Sequence, residues 1–277
     1  MLGKGLAANT SLPNWQNAGF SMIDTRWIVE QTFVAHVEHY PVLESTQTRA
    51  RELAEANAAS PALVVADRQT AGRGRADNRW WTGEGSLAFS LLIDPEQFGF
   101  PPRAVPRLSL AVGVAIVDAV APRLAGHPLG LHWPNDVYVG SRKLAGILVE
   151  VLPDGQHIIG VGLNSNNRAS DAPTALAETL TTLLDLTGQP HDHTDLQLST
   201  MENIEAALRQ LAEPLETLGQ RFDLLCLQRG ELLTVYQGCR VLAGRCAGIA
   251  PDGALLLDTE DGQLQITSGT LRKADNW

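Results

Sequence analysis

HWPNDVYVGSRKLAGILVE, residues 132–150, reads as two strands of a hairpin with its chemistry gathered at one end. Pro134 fixes a turn, and Asn135 and Asp136 place an amide and a carboxylate at the start of the first strand, DVYV. Lys143 follows Asp136 by seven residues, at the head of RKLAGILVEV, a strand buried on at least one face. Opposed strands bring carboxylate, amide and ammonium to the same end of a pocket. Lys143 is also the only lysine between Lys4 and Lys273, in a chain where three of 21 basic residues are lysines. A lysine where arginine is the habit points to a need for a compact charge with three rotatable donors. Buried, such a charge requires an anionic partner. For Pro-Asn-Asp taken alone, a plain turn is the competing reading.

The flanking segments extend this hairpin into a sheet. LGLHW precedes it, and QHIIGVGLN (156–164) follows the turn at Pro153, Asp154 and Gly155. Upstream, the alternation in TFVAHVEHY predicts a strand from Thr32 to Pro41, and Ser45 or Thr46 can cap a helix running through TRARELAEANA. ALVVAD (62–67) and SLAFSLLI (86–93) are short buried strands, and RLSLAVGVAIVDAVAPRL (107–124) has the apolar spacing of a long core helix. Downstream, TALAETLTTLLDLTG reads as a helix stopped at Gly188 and Pro190, followed by a helical region over 195–228 interrupted at Pro214. From Leu232 the pattern changes to short strands with turns at Asp252-Gly253 and Asp261-Gly262. The expected fold is α+β. Residues 27–230 form a catalytic domain on a mixed, largely antiparallel sheet, 231–277 a small all-β barrel-like domain, and 1–26 a mobile arm.

QTAGRGRADNRWW (69–81) lies between two of the buried strands. Gly72 and Gly74 permit positive φ and close backbone approach, while Arg73 and Arg75 supply forked donors suited to phosphate or carboxylate. The segment reads as a flexible anion clamp, with a solvated turn as the alternative. It is not a phosphate-binding GxxxxGK[ST] loop, and Gly160 with Gly162 lacks the third glycine of a dinucleotide fingerprint. A net charge of −10 and a pI of about 5.1 disfavour a nucleic-acid footprint, so a basic loop on this acidic chain suits a small anion. Cys226, Cys239 and Cys246 show no CxxC spacing, which disfavours disulfides, zinc and a cysteine nucleophile in the first 225 residues. His191 and His193 read as a solvated turn. Without a membrane span or signal-peptide pattern, the expectation is a cytoplasmic chain that binds neither DNA nor membrane.

ESTQ (44–47), QTAGRGR (69–75), HWPND (132–136), KLAGILVE (143–150) and GVGLN (160–164), in this order, resemble the biotin protein ligase family. The resemblance implies a two-step reaction in which biotin and Mg-ATP give biotinyl-adenylate and pyrophosphate, and a lysine of a biotin carboxyl carrier domain then attacks the mixed anhydride. It further implies that Lys143 bridges the biotin carboxylate and α-phosphate, with Arg73 and Arg75 folding over the intermediate. Ser45, Thr46, Gln47 and Gln69 would hold the biotin ring or its surroundings, with Gly72, Gly74, Gly160 and Gly162 admitting the ligand. Trp80 would pack against the ordered loop, and Asn135, Asp136 and Asn164 would position phosphate or metal, with no dedicated metal ligands. The sequence departs from the family pattern at His132 (usually lysine), Gln47 (usually asparagine) and Asn78 (often arginine). A lipoate or octanoate ligase and a non-catalytic biotin-binding protein are the rival readings. A biotin-responsive DNA-binding regulator is disfavoured by the short arm and the charge. Exposed edge strands allow either a homodimer or a dock for the acceptor.

An acyl-adenylate hydrolyses once water reaches it, so the Arg/Gly loop is expected to act as a lid. Arg75→Gly should release adenylate that modifies nearby lysines indiscriminately; unchanged retention, measured by mass spectrometry of bystander proteins, would rule the lid out.

Overall fold

The computed structural model describes residues 23–75 and 78–273. The elements are α1 (Thr25–Gln31), β1 (His36–Tyr40), α2 (Thr46–Glu55), β2 (Ala62–Ala66), β3 (Leu87–Ile93), α3 (Leu108–Val120), β4 (Leu129–His132), β5 (Asp136–Val139), β6 (Arg142–Val151) and β7 (His157–Leu163). After these come α4 (Thr174–Ala177), α5 (Leu183–Thr187), α6 (His193–Gln210), α7 (Leu215–Leu224), β8 (Leu232–Gln237), β9 (Arg240–Ile249), β10 (Leu255–Thr259), β11 (Gly262–Ile266) and β12 (Thr270–Lys273).

Seven strands form one sheet in the order β1-β2-β3-β7-β6-β5-β4, antiparallel except where β1 runs parallel to β2. The central strands ALVVA, LAFSLLI and HIIGVGL are buried at every residue, because both faces of the sheet are covered there. On one face α2 lays Ala50, Leu53 and Ala54 against Val64, Leu92 and Ile158. On the other face lies α3, itself backed by α6. The helical stretch Pro102–Arg123 is apolar and long enough to cross a membrane by length and composition, but 72% of its most apolar window is buried in protein, which makes it a core helix. Because α2 covers β2, β3 and only the Ile158 end of β7, the rest of that face over β5, β6 and β7 is left to a loop, and this is where the functional site lies.

The second sheet is antiparallel, in the order β11-β10-β9-β8-β12, with no strand pairing of β11 to β12 to close it among the described residues. Its Asp-Gly turns take the expected left-handed glycines, with φ of +88° at Gly253 and +116° at Gly262. One hydrophobic core runs from α3 through Phe222 of α7 into Val235, Ile249 and Leu257 of this sheet. Fully buried Trp133 spans the junction: its backbone N–H donates to Gln228 Oε1 at 2.7 Å and its indole N–H to the Gly253 carbonyl at 3.0 Å. Cys226 and Cys246 meet here as free thiols with sulfurs 3.9 Å apart.

Several expectations need correction. The arm lies outside the described residues up to residue 22, but residues 23–26 are built into the fold. Ile23 is buried, and Asp24 caps α1 by accepting from the Trp27 N–H. The strand starts at His36 rather than Thr32, because the Thr32 N–H and hydroxyl both close α1 on the Ile28 carbonyl. The helix expected over 174–188 splits into α4 and α5. Between them, the Thr179 carbonyl accepts from the Lys143 N–H at 2.8 Å and the Thr181 N–H donates to the Lys143 carbonyl at 2.9 Å, so this backbone serves β6. Neither Gly72 nor Gly74 adopts positive φ. What Gly72 provides is room, since a Cβ there would lie 2.7 Å from the Trp80 carbonyl oxygen.

Gly219 of α7 sits against the turn of the second sheet, where an added Cβ would lie 2.6 Å from the Pro251 Cβ. Gly219→Ala should therefore destabilise the chain by about 1–3 kcal/mol despite the better helix propensity of alanine. Chemical denaturation checks this; a stabilised variant would mean that the two surfaces do not pack as described.

Candidate active site

A bulge in β6 sets the site's geometry. Val137 pairs with Ala145, but the next residue of β5, Tyr138, pairs with Lys143, so Leu144 is the extra residue. In an unbroken strand Lys143 would share a face with Ala145 and Ile147, both buried in the core. The bulge shifts the phase, and Lys143 points into the cavity with Gly146 and Leu148. There its Nζ lies 2.8 Å from Asp136 Oδ1 and 5.4 Å from the centre of the Trp80 ring, an ion pair backed by a cation–π contact. Asp136 and Gly146 are register partners.

The floor is made by glycines. Gly146 and Gly162 are opposed on β6 and β7, and the Trp80 indole lies across both. A Cβ on Gly162 would overlap that indole, and one on Gly160 would overlap the Gln47 amide. These glycines thus make room for protein side chains as well as for whatever enters the cavity.

At the N-terminus of α2, Ser45 occupies the capping position but makes no capping bond. Gln69 reaches the helix start from the loop instead, its Oε1 accepting from the N–H of Thr46, the first helical residue, at 2.8 Å and from the Thr46 hydroxyl at 3.2 Å. Ser90 donates to Thr46 Oγ1 at 2.8 Å and lies 3.0 Å from Gln47 Oε1. Ser45 Oγ is left buried without a hydrogen-bond partner, facing the cavity. A buried hydroxyl in this condition is a ready contact for a polar ligand.

The loop closes the cavity from above. Trp80 N–H donates to the Gly72 carbonyl and Gly74 N–H to the Asn78 carbonyl, making a short ribbon that carries Arg73, Arg75 and Arg79. Arg75 reaches Asn135 Oδ1 at 3.1 Å and the Gly269 carbonyl at 3.3 Å, tying the loop to both sheets, while Asn135 Nδ2 donates to the Ile147 carbonyl at 2.6 Å. His132 stacks on Tyr138 with ring centres 4.2 Å apart. Burial and the neighbouring Asp136 push the Tyr138 phenol up to about 12, so it stays neutral.

The cavity measures about 470 Å³, the size of a small-molecule site. Four cationic side chains, Arg73, Arg75, Arg79 and Lys143, line it against the single carboxylate of Asp136, so it favours an anion. No group of three His, Cys, Asp or Glu able to hold a metal occurs among the described residues. Of the residues singled out from sequence, Ser45, Thr46, Gln47, Gln69, Arg73, Gly74, Arg75, Trp80, Asn135, Asp136, Lys143, Gly160 and Gly162 all line this cavity. Gly72 supports the loop from outside the lining. Asn164 is buried behind β6, where its backbone N–H donates to the Leu144 carbonyl and its amide lies 3.4 Å from the Lys143 carbonyl, bracing the bulge. Sequence reasoning missed Ser90, Tyr138, and Thr270 with Leu271 of the second sheet. Tyr138 follows Asp136 by two and was readable from strand alternation; the others come from distant elements and carry no local signal.

With this geometry in hand, the likeness to known proteins is specific. Residues 40–164 match the Biotin/lipoate A/B protein ligase family, and residues 235–270 the Biotin protein ligase C terminal domain. The chain is 32% identical over 245 residues to the bifunctional ligase/repressor BirA of Bacillus subtilis, covering 85% of this chain and 73% of that protein. It is 32% identical over 210 residues to the biotin–[acetyl-CoA-carboxylase] ligase of Mycobacterium tuberculosis, covering 75% and 77%. Among solved structures it is similar to the biotin protein ligase from Aquifex aeolicus in complex with biotin and ATP, with a TM-score of 0.76, 30% identity, and coverage of 87% of this chain and all of that one.

Packing of Trp80 on the glycine floor yields a test by double-mutant cycle. Gly162→Ala should cost about 1–3 kcal/mol in the parent chain, because the indole must leave, and close to nothing in a Trp80→Ala background. Equal costs in both backgrounds, measured by urea unfolding, would show that the indole does not rest there.

Proposed function

We propose, from the premise that the chain belongs to the biotin/lipoate A/B protein ligase family and is a biotin protein ligase, that it joins biotin to a lysine of a carboxyl carrier domain through a biotinyl-adenylate. In the first step a biotin carboxylate oxygen attacks the α-phosphorus of ATP, and the bond to pyrophosphate breaks. In the second, the amine of the acceptor lysine attacks the acyl carbon, the bond to the phosphate oxygen breaks, AMP leaves, and the amine proton passes to solvent.

The observation that carries this reading is Lys143. Bringing a carboxylate to a phosphate joins two anions, and the barrier falls when cations already stand where charge develops. Asp136 pairs with the ammonium and aims it into the cavity, and Trp80 holds it from the side. Arg73 and Arg75 supply further donors from the loop, Ser45 Oγ offers the ring a polar contact, and Asn135 and Asp136 face the phosphate end. Mg²⁺ brought with ATP would neutralise phosphate charge. The donor set of one carboxylate and one amide, with no cage around it, fits a cation that keeps most of its ligands as water and phosphate. His132 replaces a permanent charge at the rim with a ring stacked on Tyr138, a change expected to tune affinity rather than abolish activity.

ATP–pyrophosphate exchange with Mg²⁺, comparing biotin, lipoate and octanoate, tests the adenylation step. Biotin-dependent exchange is expected, reduced about 10²–10³-fold by Lys143→Ala. A loss under fivefold would remove Lys143 from the chemistry, and exchange with lipoate or octanoate alone would place the chain in the sister activity.

A further inference from the structure

Glu150 lies on the cavity side of β6, in phase with Gly146 and Leu148, and its one carboxylate holds two guanidiniums. Arg73 of the loop lies 2.9 Å from Oε1, and Arg51 of α2 lies 2.5 Å from Oε2. The carboxylate is largely buried, with 16% of its side chain exposed, whereas Arg73 is 45% exposed. Arg73 and Arg75 therefore rest differently. Arg75 is held by neutral oxygens of Asn135 and Gly269, while Arg73 is held by a full negative charge at the cavity's edge.

We infer that Glu150 is the resting counter-ion of Arg73, and that Arg51 sets how readily this arginine is handed to an anionic ligand. The inference rests on the reading in which Arg73 serves the ligand. A pair with a half-exposed guanidinium is weak enough to exchange when another anion arrives. A buried carboxylate, however, resists losing its only partner. Arg51 removes that resistance, because Glu150 stays paired on α2 after Arg73 has gone. The two residues thus act in opposite senses. Glu150 competes with the ligand for Arg73, and Arg51 weakens the competition. Neither needs to touch the ligand, so both are positioning residues.

Biotin affinity by titration calorimetry is the test, with Glu150→Gln and Arg51→Ala each made alone and in an Arg73→Ala background. Glu150→Gln should tighten binding about twofold to fivefold and Arg51→Ala weaken it by a similar factor, the scale of a half-exposed ion pair. Both effects should vanish without Arg73. Persistence in the Arg73→Ala background would overturn the proposal, since a general field effect of the lost charge does not need Arg73. Effects of the same sign would overturn it too. In ligand-free protein, Glu150→Gln should speed tryptic cleavage after Arg73 and Arg51→Ala should slow it; equal rates count against the resting pair. This arm uses no biotin, so a parent chain that fails to bind biotin refutes the functional reading while the cleavage rates still decide the pairing. Thermal melts of each variant identify any that are globally unfolded.

Discussion

An ammonium in a half-buried cavity must have a counter-ion, and the pairing of Lys143 with Asp136 constrains everything around it. The pair can form only because β6 carries an extra residue at Leu144, which turns Lys143 from the core face to the cavity face. That bulge is held from outside the hairpin. Residues 179–181 take up the backbone groups of Lys143, and Asn164 braces its carbonyl side. Asn164 thus sits one layer behind the cavity, against the strand that presents the charge.

The same sheet face is divided between two covers of different permanence. Over β2 and β3 it is sealed by α2, whose small residues let the helix sit close. Over β5, β6 and β7 it is covered by the 69–81 loop, attached through Trp80 on the glycine floor, Gln69 at the α2 N-terminus, the Arg73–Glu150 ion pair and the Arg75–Asn135 hydrogen bond. A cover built from polar and ionic contacts opens at lower cost than one built from buried apolar area. Gln69 links the two, since from the loop it accepts from the first N–H of α2, beside the unpaired Ser45 hydroxyl.

The second sheet is part of the same machine. Trp133, one residue before the Pro-Asn-Asp turn, is fixed by hydrogen bonds to Gln228 and Gly253, and Arg75 reaches the Gly269 carbonyl. Thr270 and Leu271 complete the cavity wall. Moving that sheet would disturb the turn that positions Asn135 and Asp136, which ties the terminal domain mechanically to the site.

Much of this was legible in the chain itself. The alternating and continuous apolar runs marked the strands of both sheets, the Pro-Asn-Asp turn and the lone lysine marked one end of the site, and the Gly/Arg loop marked its cover. These signals are local: a turn, a period or a composition acts over a few residues, so a few residues display it. The tertiary structure alone decided the phase of β6, the division of residues 174–188 into two helices, the placement of Asn164, the unpaired Ser45 hydroxyl, and the pairing of Arg73 with Glu150 and Arg51. Each of these depends on which distant backbone or charge arrives at a given atom. Residues 77 or 99 positions apart in the chain meet at Glu150 because the sheet order and the α2 cover place them there, and no local pattern encodes that meeting.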